Sequence, residues 1–299
     1  MNRPTLLLLL PFVAAFVFAL GNILQKRAFK EGAGILSAFV LNNLLLGLAF
    51  LPFLAVSRST IPLHLVWQPL LAGGFFYLGS ISGLLALRYG DVSLVTPLLG
   101  TKVILVALVS VLVFHVPLRA GQSMAAALTT AGVLVMGITD VHPTRRLGVT
   151  TGLATLCSLC FAICDTLIQQ WAAPFGIQSF VPLLFGTLAV LSSLVIVWQG
   201  RELLRIPRSA RKWLGAAGLA IVTQAMLVTF SIALTKDATG VNVVYALRGL
   251  WGLALVWVVG HHFGNTEHRD AGTRTLVLRL IGALLILGAV VLAVLASSR

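Results

Sequence analysis

Acidic side chains are scarce in this sequence. Of 299 residues only eight are Asp or Glu, against 21 Lys and Arg, and charged residues of both signs reach only 10%. A soluble globular domain carries about 25% charged residues, so this composition excludes an ordinary water-soluble fold. Cysteine is nearly absent too. The three present, Cys157, Cys160 and Cys164, share one apolar run at helical spacing with no histidine nearby. That excludes a disulfide framework and leaves a metal site short of ligands, so they read as packing residues and no cofactor is expected. The sequence also lacks HExxH and P-loop motifs, which removes the commonest signs of zinc or nucleotide chemistry.

What the chain has is apolar sequence: 59% of its residues, with a mean hydropathy of +1.02. The apolar residues come in runs of roughly 20, the length a helix needs to cross a hydrocarbon core of about 30 Å. Bounded by charges, Gly and Pro, they predict ten spans near 5–26, 34–56, 66–87, 93–114, 119–139, 148–171, 178–199, 213–234, 241–260 and 275–296. The N-terminal run, with Arg3 before Leu6 to Leu10 and Phe12 to Leu20, has no small-x-small cleavage site after it and a counterpart later in the chain. It is therefore expected to be a span and not a signal peptide. Short gaps make one compact, all-α polytopic bundle.

The second half echoes the first. A shift of 146 places Asp91 on Asp237, Val95 on Val241, Lys102 on Arg248 and His115 on His261, and a shift of 143 places Phe18, Ala19 and Asn22 on Phe161, Ala162 and Asp165. The expected halves are residues 1–147 and 148–299. Because five helices is an odd number, the second copy enters from the opposite side, which gives inverted repeats able to expose a central site alternately.

Two cations break the apolar pattern. Lys102 lies in the middle of span four and Arg248 in the middle of span nine. A charge at that depth costs about 2.5–3.5 kcal/mol on insertion scales, so each should face a cavity or a partner. Their equivalence suggests one site for a carboxylate, phosphate or zwitterion. The competing reading is neutralisation by Asp165, the only acidic residue inside a predicted span, as a structural ion pair or a proton-coupling switch. Asn22, Asn42, Asn43 and Gln224 are further candidates for the pocket, although amides in a dry bundle also bond between helices. Tyr245 and Trp251 flank Arg248 at three residues on either side; they suit stacking on a flat substrate or plain aromatic packing. Gly79 and Gly83 carry the spacing that lets helices approach closely, and Pro97 is expected to kink span four.

The net charge of +13 does not point to nucleic acid, because most basic residues fall between spans, where they meet anionic headgroups. Arg201, Arg205, Arg208, Arg211 and Lys212 recur every three or four residues and suit such lipid contact or a solvated loop. The chain is expected to be a monomer or homodimer. Fourteen basic residues fall on one side and five on the side of the termini, so the positive-inside rule places both termini outside.

Ten spans, the five-plus-five repeat and Ala86-Leu87-Arg88-Tyr89-Gly90-Asp91-Val92-Ser93-Leu94-Val95-Thr96-Pro97 resemble the drug/metabolite transporter superfamily, in particular its EamA-type permeases. The resemblance implies a secondary transporter in the bacterial cytoplasmic membrane, with both termini in the cytoplasm, against the charge count. Where the family often carries a glutamate after the fourth helix, this chain has His115-Val116-Pro117-Leu118-Arg119. Asn42-Asn43 and the stretch Tyr245 to Gly249 are similar to elements that handle anionic substrates in sugar-phosphate and nucleotide-sugar relatives. The expected function is movement of a small polar metabolite with an anionic or zwitterionic group. The alternative, a membrane-embedded enzyme acting on a lipid-linked precursor, has only His261-His262 and the scattered Glu267, His268 and Asp270 in its favour.

Overall fold

The computed structural model describes residues 7, 9–57, 61–89, 98–137, 147–259 and 273–297. Its helices are α1 (Leu9–Lys30), α2 (Ile35–Val56), α3 (Trp67–Tyr89), α4 (Lys102–Leu112), α5 (Ala120–Gly137), α6 (Leu147–Phe175), α7 (Ile177–Gln199), α8 (Arg208–Thr235), α9 (Ala238–Tyr245), α10 (Arg248–Val259) and α11 (Thr273–Ser297). Short 3-10 turns at Leu63–Leu65 and Arg201–Leu204 precede α3 and α8. No strand occurs among the described residues. Lipid leaves backbone groups no water to bond, and the helix satisfies them within each segment.

Six described helices are long and apolar enough to cross a membrane, α1, α2, α3, α6, α7 and α8, and shorter apolar helices run over Leu98–Leu112, Ala120–Val135 and Leu280–Leu295. Outward faces stay apolar, as at Leu48, Leu219, Val197 and Trp198, which suits a hydrocarbon surround and not water. One expectation needs correcting: the predicted continuous span 241–260 is two helices, α9 and α10, separated by a turn at Ala246 and Leu247. The expected kink at Pro97 lies outside the described residues, as do Asp91, Val95 and residues 260–272.

Between helices in lipid there is little hydrophobic drive, so small residues decide which backbones approach. The most extensive packing joins α1 to α8, α3 to α6, α2 to α7 and α5 to α11. At the α3–α6 contact Gly79 and Gly83 face Cys160 and Cys157; a Cβ added at Gly83 would stand 2.9 Å from the Cys157 sulfur. At α1–α8 a Cβ on Gly21 would stand 3.0 Å from Ala220. The same pairing scheme survives exchange of the halves: α1 with α8 becomes α6 with α3, while α2–α7 and α5–α11 map onto themselves. In the α2–α7 contact Phe50 stacks on Phe185 at 4.6 Å, Asn43 donates to Ser192 at 3.1 Å, and the Ser57 and Ser179 hydroxyls meet at 2.6 Å. α6 touches α3, α4, α7, α8 and α9, which puts it at the centre of the bundle.

Candidate functional site

Two interrupted helices meet α1 and α6 in the interior. In span four a turn at Thr101 separates residues 98–100 from α4, whose first residue is Lys102. The Leu98 carbonyl at this turn accepts from the Thr101 N–H at 3.2 Å, from the Thr101 hydroxyl at 2.6 Å and from the Ser158 hydroxyl of α6 at 3.0 Å. In span nine the turn at Ala246 and Leu247 ends at Arg248, the first residue of α10. Under the 146-residue shift these are the same position, so each cation sits on the N-terminus of a broken half-helix.

That placement is unfavourable in itself. A helix N-terminus carries about half a positive charge, and a cation there loses roughly 0.3–1 kcal/mol where an anion would gain it. Each site therefore calls for a negative group. For Lys102 the protein supplies it: the ammonium lies 2.7 Å from the Asp165 carboxylate of α6, and both residues are buried. The same carboxylate oxygen accepts from the Asn242 amide of α9 at 2.7 Å, and that amide also donates to the Ala238 carbonyl at 2.9 Å. Three helices are thereby tied at one carboxylate.

Arg248 is built alike but lacks the anion. Lys102 lies over the Phe161 ring at 5.6 Å and Arg248 over the Phe18 ring at 5.2 Å, and Phe18 and Phe161 are the residues that the 143-residue shift superimposes. Arg248 also faces the Tyr245 ring at 4.6 Å. One turn beyond Phe161 stands Asp165; one turn beyond Phe18 stands Asn22, which is exposed. Among the described residues no carboxylate pairs with the half-buried Arg248.

The remaining candidates divide. Tyr245 donates its hydroxyl to Gln224 at 2.6 Å, which ties α9 to α8 beside Arg248. Trp251 packs edge-on against Phe12 and Phe16 at 5.7 and 5.2 Å, so it serves the α1–α10 contact. Asn43 is engaged with Ser192, while the Asn42 Oδ1 is buried without a partner near Gly218 of α8. The structure thus gathers Lys102 and Asp165 at one break, and Tyr245, Gln224 and Arg248 at the other. Asn42 and Asn43 sit apart, on the α2 faces toward α8 and α7. Residues that sequence reasoning missed are Asn242, a lone amide in an apolar run, and the two phenylalanines. The phenylalanines carried a signal, since the repeat match contained both.

A cavity of about 310 Å³ opens between the α4–α5 and α8–α9 connections, lined among others by Ser110, Gln122, Gln169, Asp237 and Thr239. Asp237 caps α9, accepting from Gly240 N–H at 2.8 Å and from the Gln122 amide at 2.9 Å. On the opposite side of the bundle the basic cluster is ordered piecewise. Arg205 pairs with Glu202 at 2.8 Å, Arg211 donates to the Ile206 carbonyl at 3.2 Å, and Lys212 lies over the Trp213 ring at 4.9 Å.

Apolar helices with lipid-facing exteriors and polar breaks in the interior define a multi-pass integral membrane protein. Residues 5–138, the first part of the chain, match the model of the EamA-like transporter family. A solved crystal structure, described only as that of a protein, has the same fold with a TM-score of 0.71 at 19% sequence identity, covering 98% of both chains. No curated protein sequence matches the chain.

Proposed function

We propose that the protein is a secondary transporter of a small polar metabolite with a carboxylate, phosphate or zwitterionic group, carried by alternating access between two inverted five-helix halves, 1–147 and 148–299. The family match, confined to residues 5–138, falls within the first of these. The observation that carries the reading is an asymmetry between equivalent positions. Both helix breaks present a cation over a phenylalanine, yet only Lys102 has a carboxylate, Asp165. The position equivalent to Asp165 in the first half, one turn beyond Phe18, is Asn22. The anionic group of the solute takes the role at Arg248 that Asp165 takes at Lys102.

The roles follow from the chemistry. The guanidinium, set beside the Phe18 and Tyr245 rings, presents a fork that fits a carboxylate or phosphate through two bonds. Gln224, fixed by Tyr245, offers its amide N–H₂ beside it. The Lys102–Asp165–Asn242 tie clamps α4, α6 and α9 until movement of the halves releases it. The setting is the bacterial cytoplasmic membrane, with the basic α7–α8 connection against anionic lipid.

The test begins with a thermal-shift screen of purified protein against carboxylates, phosphates and amino acids, since a ligand that binds the folded state raises its melting midpoint. Uptake of the best hit is then measured in proteoliposomes. Arg248→Gln should lower transport roughly 10- to 100-fold, matching a lost charged hydrogen bond of about 1.5–3 kcal/mol, without lowering the melting midpoint. Wild-type transport by Arg248→Gln would remove Arg248 from the site.

A further inference from the structure

The cavity beneath the α4–α5 and α8–α9 connections contains polar groups that nothing among the described residues satisfies. Ser110 and Thr239 both line it, both are only 1% exposed, and neither hydroxyl has a hydrogen-bond partner. Buried hydroxyls in native proteins are bonded with few exceptions, and an unmet one costs about 1–3 kcal/mol. Two unmet hydroxyls facing one cavity need a common cause.

The carboxylate and side-chain amide oxygens of the lining each already accept a hydrogen bond. Both Asp237 oxygens accept, from Gly240 N–H and the Gln122 amide. The Gln122 oxygen accepts from Arg119 N–H, and the Gln169 oxygen from Ala238 N–H at 2.8 Å. What stays uncommitted is donors: the Ser110 and Thr239 O–H groups, the Gln169 N–H₂, and the Lys236 ammonium at the rim. Lys236 is held by a left-handed backbone, φ 53°, at the end of α8, where it forms no ion pair among the described residues.

A lining with two unbonded buried hydroxyls, a free Gln169 N–H₂ and the Lys236 ammonium at its rim fits a ligand rich in acceptors. We propose that this cavity is a second binding site, separate from Arg248, for an oxyanion group, phosphoryl or carboxylate. The hydroxyls of Ser110 and Thr239 and the Gln169 amide bond its oxygens, and Lys236 balances its charge. At about 310 Å³ the space holds a small metabolite or the phosphate end of a lipid headgroup.

Binding is read by thermal shift of the purified full chain with inorganic phosphate in neutral detergent, and separately in phosphatidylcholine vesicles with or without phosphatidylglycerol. Wild type should show a saturable stabilisation by phosphate. The Lys236→Gln and Thr239→Val variants should each weaken it by roughly tenfold or more, the size of one lost charge-assisted bond. Arg248→Gln should keep the part of the stabilisation that the Lys236 and Thr239 variants lose. Thr239→Val nearly preserves shape and Lys236 is exposed, so one variant keeps the test open where the other fails to fold. Stabilisation by phosphatidylglycerol alone, lost in the same variants, supports the site with a lipid headgroup as occupant. An equal shift in wild type and both variants, loss in Arg248→Gln only, or no shift with either probe overturns it. Failure here leaves the Arg248 reading standing, and loss of transport in Arg248→Gln bears only on that reading.

Discussion

Breaking the tie between Lys102 and Asp165 should destabilise the fold far more than removing it whole. The two residues are 8% and 6% exposed, with 2.7 Å between nitrogen and oxygen. Attraction at that distance is about 6 kcal/mol at an effective dielectric of 20, and desolvation of both charges offsets most of it. Net stability from the intact pair is therefore small, but a lone charge left behind keeps its desolvation cost, about 3–5 kcal/mol. Asp165→Asn strands the ammonium on a helix N-terminus, where the dipole adds to the penalty. Lys102→Met strands the carboxylate with only the Asn242 amide. Each single variant should lose about 3–5 kcal/mol, and the double variant should recover to within about 1–2 kcal/mol of wild type. Thermal melting with a thiol-reactive dye suits this chain, because Cys157, Cys160 and Cys164 are free and at most 2% exposed until the bundle opens. At about 2–4 °C per kcal/mol for soluble domains approaching this length, the singles should melt roughly 6–20 °C lower. Singles within a degree or two of wild type, or a double variant as unstable as either single, would refute the argument.

Adjacent glycines of α3 should respond in opposite ways. A Cβ on Gly73 would stand 2.5 Å from the Leu184 carbonyl of α7, whereas one on Gly74 meets nothing within 4 Å; Gly73→Ala should cost about 1–3 kcal/mol and Gly74→Ala should be neutral or stabilising by up to about 1 kcal/mol, both read by melting. Asn22→Asp should set a carboxylate before Arg248 and mimic the bound solute, so that transport falls by roughly tenfold or more, the equivalent of 1.4 kcal/mol, without loss of stability. Wild-type uptake by that variant would show that Arg248 does not hold the solute's negative group.

The spans were legible in the sequence because lipid allows few alternatives: each crossing must be a helix, and its length follows from the bilayer. The small-residue contact was legible for the same reason, and Gly79 and Gly83 lie where their spacing placed them. The break in span nine was not. Ala246 and Leu247 are strong helix formers, so local preference argued for continuity, and tertiary contact around Arg248 overrode it. Position along the chain also made Lys102 and Arg248 equivalent. It could not decide the rotation of α6 and α1, and so could not say which cation would meet a carboxylate.

That last distinction is where function separates from fold. Two halves that pack by one scheme need equivalent residues at equivalent contacts, and Phe18 with Phe161 meets this demand. A fold maintained for stability alone would have every reason to neutralise both helix breaks alike, because an unpaired cation at a half-helix N-terminus is costly on two counts, dipole and desolvation. The second cation is retained without a carboxylate among the described residues, on the side where Asn22 is exposed. A cost borne at one of two otherwise matched positions is what the proposed function requires of Arg248, whose negative partner is then the solute.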